Sequence, residues 1–383
     1  MPRPPHINPS LDAVKGSVYS ALAHRLAQHS GPVYPLHVGD TWLEPAEACR
    51  LEQFDVVSHP GMHRYTQVQG HPPLIDGLVE WDRTRTGCAT ERDQILVTAG
   101  ATGGLAAVVG ALVQPGDEVL ILAPHWPLIA GHVASFGGRP IPVPFFGEVH
   151  SSDEAVARVT EALTDRTVAI YWNTPSNPTG RVIPRPWLEA LADWARERNL
   201  WILADEVYEV IQFEGEHTYS RPLAPERTFG IHSFSKGFGM AGNRCGWVVG
   251  PRATMAQVKK VSTHTFYSAP TASQLAGARV LQGAANAWVA KARAAYADVG
   301  RKVAARLGVP PAQGGTFLFL DVAASLDERG LGGFLEDCVD QGLFIAPGPS
   351  FGPYPTHVRL CFTSIAPERT LAGVEILAGL MGR

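Results

Sequence analysis

Six short apolar runs, at 94–97, 118–122, 168–172, 201–204, 229–233 and 246–249, alternate along the chain with amphipathic or small-residue stretches. Runs of this length read as strands, and strands alternating with helices build a mostly parallel sheet covered on both faces. In such sheets ligands bind beyond the carboxyl ends of the strands. Asn173, Asp205 and Ser233 stand at three of those ends, so polar chemistry is expected to gather along one edge. After about 284 the pattern changes to a long Ala/Arg-rich helix through about 307, a Gly314-Gly315 turn, and strands at 316–321 and around 358–362. That change predicts a smaller α+β lobe. With 383 residues, 45% of them hydrophobic, the chain can fill both cores. The small-residue run 99–113, broken by glycines and too short to span a bilayer, is expected to be a helix.

Chemistry concentrates in three segments. Lys236 lies in Ser233-Phe-Ser-Lys-Gly-Phe-Gly-Met-Ala-Gly-Asn-Arg244. A lysine amine condenses with an aldehyde, while an arginine fork and two hydroxyls can hold a phosphate that anchors it, which is the layout of a pyridoxal-phosphate lysine. Lysine beside glycine and serine also occurs in plain surface loops, so this segment alone does not decide. Upstream, the run 200–204 ends in Asp205, with Tyr208 three residues on. Such an aspartate can be a helix cap. It can also lie against a pyridine nitrogen, keeping that ring protonated so that it accepts electrons from a breaking bond at a substrate α-carbon. Tyr208 would then hydrogen-bond the ring's phenolic oxygen. Further upstream, 168–180 runs from a strand into a turn containing Asn177-Pro-Thr-Gly180, a composition that also serves purely conformational needs.

With Asn177, Asp205-x-x-Tyr208 and Lys236 followed by Arg244 in that order, the chain resembles the class I and II aminotransferases, fold-type I pyridoxal-phosphate enzymes, over most of its length. The resemblance implies an α/β fold whose large domain, 45–284, carries the mostly parallel sheet, with a discontinuous smaller α+β domain from 1–44 and 285–383. It implies pyridoxal 5′-phosphate as cofactor and Lys236, Asp205 and Tyr208 as the catalytic set. Ala101 and Thr102, in the strand-turn-helix 96–105, would bind the phosphate together with Ser233, Ser235 and Arg244. Trp126, in His125-Trp126-Pro127, would stack on the ring, and Asn177 would join Tyr208 at the phenolic oxygen. Tyr65, in Tyr65-Thr66 ahead of Gly70, matches a tyrosine that reaches the neighbouring subunit's phosphate, which implies a homodimer. Gly39, Asn177 and Arg359 would border the substrate, Arg359 clamping its α-carboxylate through a bidentate fork. The implied reaction moves the amino group of an α-amino acid to an oxo acid such as 2-oxoglutarate. Two departures from the family pattern, Leu74-Ile75 and Asn243, leave these residues untouched.

Other readings are weaker. Gly100-Ala-Thr-Gly103-Gly104 after a strand could be a dinucleotide turn, but Ala123-Pro124-His125-Trp126 stands where an acidic ribose partner is needed. A non-catalytic ligand sensor of this fold usually carries a DNA-binding domain, for which no room precedes the phosphate segment. A lyase, cyclase or oxidase of the same fold shares the Lys, Asp, Tyr and Arg set and stays open as an alternative. His125 reads as a satisfied polar group. His37, Trp42 and Glu44 either border the pocket by family position or are loop residues. Trp42, Trp126 and Tyr267 favour an aromatic or apolar substrate over an acidic one.

A net charge of −4 without a basic cluster argues against nucleic acid and anionic membranes as partners. Five scattered cysteines without metal or redox spacing predict a reducing, cytoplasmic setting and no metal site. The start, Met1-Pro-Arg-Pro-Pro-His, lacks the apolar core of a signal peptide.

Overall fold

The sheet expected from the apolar runs dominates the computed structural model, which describes Leu22, Arg25 and residues 28–383. The opening segment discussed above lies outside the described residues. After a short β1 (Tyr34–Pro35) come the strands of the main sheet: β2 (Ile95–Thr98), β3 (Glu118–Ala123), β4 (Arg139–Pro144), β5 (Thr167–Asn173), β6 (Trp201–Asp205), β7 (Thr228–Ser233) and β8 (Gly246–Val249). Their order is β2-β8-β7-β6-β5-β3-β4. β8 runs antiparallel to β2 and β7, and the other pairings are parallel. Each of the six expected runs is a strand, displaced by at most one residue at either end. They were readable because a strand buried on both faces must be apolar nearly throughout; every residue of β3 and β7 is buried.

β4 is the strand the sequence hides. Its Arg-Pro-Ile-Pro-Val-Pro argues against a strand, since proline cannot donate to a ladder. The structure resolves this through position and phase. β4 lies at the sheet edge, pairing only with β3. The flanking odd-numbered donors face β3, with Arg139 N donating to Asp117 O and Phe145 N to Ala123 O. Pro140, Pro142 and Pro144 share the opposite phase, so their missing donors fall on the open side.

Alternation of side chains assigns the two faces. Ile121, Tyr171, Leu203, Ile231 and Val248 pack beneath the helices Gly100–Leu112 and Arg252–Thr265. Ile170, Trp172, Ile202 and Ala204 pack against Ser152–Glu161 and Arg185–Glu197. A fully buried aliphatic side chain in such a layer stabilises by roughly 1.5–3 kcal/mol. The run 99–113 is indeed helical over Gly100–Leu112.

In the second lobe, β9 (Phe317–Asp321), β11 (Ala346–Pro347) and β12 (His357–Cys361) form an antiparallel sheet in the order β11-β12-β9, while β10 (Leu343–Phe344) pairs with β1. The helix Asn286–Leu307 ends at Gly308, whose φ of +62° suits a left-handed cap. Its Val303 joins Leu36, Leu318, Leu360 and Val374 in one core. We infer that the described residues before 45 belong to this lobe together with 285–383, the main sheet belonging to 45–284. The irregular turn Val280–Ala284, with Gly283 at φ +92°, stands at the passage between them.

Asp205 and Glu206 leave β6 on opposite faces. Beneath the sheet, Glu206 accepts a 2.7 Å bond from Ser220 N and lies 3.7 Å from His232 Nε2. Glu209 lies 3.3 Å from His232 Nδ1, and the His232 ring stacks on Trp247 with centroids 5.1 Å apart. Burial alone would lower the His232 pKa, but Glu209, Glu206 and Asp82 outweigh it and lift it to about 9. Stability from a group raised in the folded state is complete below its unfolded pKa and lost as pH rises through the folded one. Between pH 6.5 and about 9 the wild type should therefore lose up to ~3 kcal/mol relative to His232→Gln in urea titrations. A pH-independent difference between the two proteins would show that His232 is not charged.

Candidate active site

At the carboxyl edge of the sheet, side chains from successive strand ends and turns surround a cavity of about 250 Å³. One wall is an anion cradle. β2 turns directly into the helix Gly100–Leu112, whose first residues Ala101 and Thr102 line the cavity with their end of the helix dipole. Ser233, Ser235 and Arg244 line the cavity with them. The Ser233 hydroxyl lies 2.8 Å from that of Ser235 and accepts from Ser235 N at 3.0 Å. Gly100 has φ +70°, and a Cβ there would lie 2.6 Å from Arg244 Nη2, so the guanidinium approaches only because the residue is glycine. Arg244 itself holds a left-handed backbone, φ 50°, and donates through Nη1 to Ala241 O at 2.9 Å. Helix amides, two hydroxyls and a guanidinium form a site for a phosphate-like anion.

A second wall carries the carboxylate. Tyr171 Oη donates to Asp205 Oδ2 at 2.7 Å, and Val207 N makes a long 3.5 Å contact to Oδ1. Burial raises the Asp205 pKa to about 6, with the Tyr171 and Val207 donors pulling the other way. A cation brought against this carboxylate would restore its charge.

Lys236 enters from the turn after β7, and its Nζ donates to the Gly39 carbonyl. Burial lowers its pKa; Asp40 and Cys361 oppose the shift, and Arg244 and Arg359 add to it. A lowered amine is more often the free-base nucleophile. Nearby, Asn177 N donates to Asn173 Oδ1 at 2.6 Å, and Asn173 Nδ2 donates to Asp205 O at 2.8 Å. Burial and the Asp205 charge raise the Tyr208 pKa well beyond the ordinary phenol range, which keeps that hydroxyl protonated.

Arg359, on β12, is buried against the rings of Phe317 and Phe351, 4.3 and 4.8 Å from their centroids. Its Nη1 donates to Asn177 Oδ1 at 2.9 Å and its Nη2 to the His37 carbonyl. The fork is thereby fixed beside Asn177, a cavity residue.

Of the residues singled out in the sequence, Ala101, Thr102, Trp126, Asn177, Asp205 and Tyr208 meet Ser233, Ser235, Lys236 and Arg244 around this one cavity. Gly39 and Arg359 stand behind that wall, connected to it through Lys236 and Asn177. Tyr65 does not enter the cavity: it is 87% exposed, with its ring 5.1 Å from that of Tyr267. His125 is buried, its ring Nδ1 donating to Trp126 O at 2.9 Å. Trp42 packs edge-on against Tyr296, and the Glu44 main-chain carbonyl accepts from Trp288. Sequence reasoning overlooked Tyr171, Leu105 and Val207. For Tyr171 a signal existed, since strand alternation puts it in phase with Asn173.

The family model for aminotransferase class I and II matches residues 32–376. An aspartate/prephenate aminotransferase of Thermus thermophilus is 31% identical over 330 residues, covering 84% of each chain. An arginine–pyruvate transaminase of Pseudomonas aeruginosa is 34% identical over 354 residues, covering 89% of this chain and 88% of that one. Among solved structures, the aspartate aminotransferase of Thermus thermophilus with maleate superposes with a TM-score of 0.87 at 28% identity, covering 98% of this chain and all of the other.

Proposed function

Because the chain belongs to the class I and II aminotransferase family, enzymes that move an amino group from an amino acid to an oxo acid, we propose that it does so with pyridoxal 5′-phosphate held in the cavity described above. The observation that carries the reading is one cavity lined by a half-buried amine, a buried carboxylate and an anion cradle. The cradle suits a phosphate because Gly100 leaves open the space that Arg244 occupies. When bound, the cofactor supplies an aldehyde that takes up the amino group and a ring that accepts electrons as the substrate α-carbon loses its proton.

In this reading Ala101, Thr102, Ser233, Ser235 and Arg244 hold the phosphate, and Trp126 covers the ring. Asp205 keeps the ring nitrogen protonated, and Tyr208 with Asn177 bonds the phenolic oxygen. Lys236 Nζ would take the proton from the substrate α-carbon as base and deliver it as acid to the cofactor carbon that carries the transferred nitrogen. Arg359 receives the substrate carboxylate beside Asn177 and Gly39. The two relatives named above differ in the amino acid they use, so the substrate is best found by assay. Purified protein exposed to a panel of amino acids, with cofactor spectrum and oxo-acid release both followed, separates transfer from elimination or cyclisation.

All five cysteines are free and four of them buried, which supports a reducing, cytoplasmic setting. Among the described residues no helix is long and apolar enough to cross a membrane.

Lys236→Ala should lower turnover about 10³-fold or more while the protein still takes up cofactor, because the anion, ring-nitrogen and stacking contacts belong to other residues. Absorbance and equilibrium dialysis would report binding. Wild-type turnover in that variant would remove Lys236 from the mechanism.

The active unit is proposed to be a homodimer with Tyr65 supplied across the interface. The exposure of Tyr65 and Tyr267 as one aromatic pair, with Val56 and Val57 also exposed, supports a covered face in the assembly. Mixing Tyr65→Ala with Lys236→Ala under subunit exchange should restore part of the activity, since one site of the mixed dimer then carries neither lesion. A strictly monomeric active species in light scattering would overturn this.

A further inference from the structure

Tyr171 has no part in the function just proposed, yet its phenol donates directly to the one carboxylate that the function assigns to the ring nitrogen. Both side chains are buried. Strand geometry makes the contact: β5 and β6 are parallel neighbours in which Tyr171 pairs with Leu203 and Asn173 with Asp205, so Tyr171 lies two residues short of its acceptor on the adjacent strand. A phenol is long enough to span that offset. It ends at Oδ2, leaving Oδ1 with only the 3.5 Å contact from Val207 N. From the same strand Asn173 Nδ2 holds the Asp205 main-chain carbonyl at 2.8 Å, so β5 fixes both the backbone and one carboxylate oxygen.

A plain core role for Tyr171 would need only a bonded hydroxyl, and any nearby carbonyl could accept it. Choosing a carboxylate has a further effect, because a donor to the anion favours the charged form and restricts its rotation. Burial and the Asp205 charge raise the Tyr171 pKa well above the ordinary phenol range, so the hydroxyl remains a donor. The other ionisable groups acting on Asp205 divide: His232 from β7 favours its charge and the adjacent Glu206 opposes it. Tyr208, from the turn after β6, is a buried phenol that stays neutral.

We propose that Tyr171 is a positioning residue for the amino-transfer reaction, pinning the Asp205 carboxylate through Oδ2 so that Oδ1 is left for the cofactor's ring nitrogen; this rests on the reading of Asp205 given above. Tyr171→Phe keeps the ring and removes the donor, and Tyr171→Leu removes the donor with a different packing shape. The direct readout is the dissociation constant of pyridoxal phosphate from the apoprotein, followed by tryptophan fluorescence across pH. Wild-type affinity should weaken as pH falls through the Asp205 midpoint, which burial places near 6. Loss of the donor should raise that midpoint by about one pH unit in both variants and move the acid limb of kcat with it, while KM changes less.

Asp205→Asn separates the two ideas. With no carboxyl to titrate, that variant should lose the Asp205-dependent step in affinity, and adding Tyr171→Phe to it should have no further effect on the profile. An unchanged midpoint in both Tyr171 variants, with only a lower melting temperature, would reduce Tyr171 to packing and leave the Asp205 reading intact. Persistence of the wild-type step in Asp205→Asn would instead overturn the role given to Asp205.

Discussion

A carboxylate buried at the end of a β-strand is an expensive thing to keep charged, and much of the site is arranged around Asp205. Water is replaced by one phenol, one distant amide and the charge of His232 across the sheet. Those partners leave part of the desolvation cost unmet, as the raised pKa shows. In the proposed function a protonated ring nitrogen would supply what is missing, and part of the free energy withheld on folding would become available on binding. The same logic applies to Lys236, a half-buried amine near other cations whose proton is held less tightly than in water.

How far the sequence discloses this depends on whether a residue acts along the chain or across it. The six strands were legible because double-sided burial forces an apolar run, and the strand ends pointed to Asn173, Asp205 and Ser233 without any coordinates. Lys236 and Arg244 declared themselves by spacing within one turn. Tyr171 did not, because an aromatic residue in a strand looks like core, and its role depends on the register between β5 and β6. The coupling of His232 to Glu206 and Glu209 was hidden for the same reason, since it needs the neighbouring strand and the turn that follows it. β4 was missed because the composition of an edge strand contradicts the usual strand signal.

The two lobes meet in the chemistry. Gly39 precedes every strand of the main sheet and Lys236 follows β7, yet they share a hydrogen bond. Arg359, far along the chain on β12, reaches both the His37 carbonyl and Asn177. Two aromatic rings, centred 4.3 and 4.8 Å from its guanidinium carbon, limit where the fork can turn, which in the proposed function would orient a substrate carboxylate. Movement of the smaller lobe relative to the sheet would thus be felt by the lysine and the arginine together.

The prolines of β4 have a consequence for the molecule among its own copies. An exposed strand edge normally invites another sheet to add on, because it offers alternating donors and acceptors. Here every second residue from Pro140 to Pro144 turns a ring outward where a donor would be. An incoming strand would find carbonyl acceptors but no amides to complete the ladder. The edge that is hardest to recognise as a strand is, for that same reason, poorly suited to seeding polymers, and the parallel sheet can remain wide without becoming adhesive.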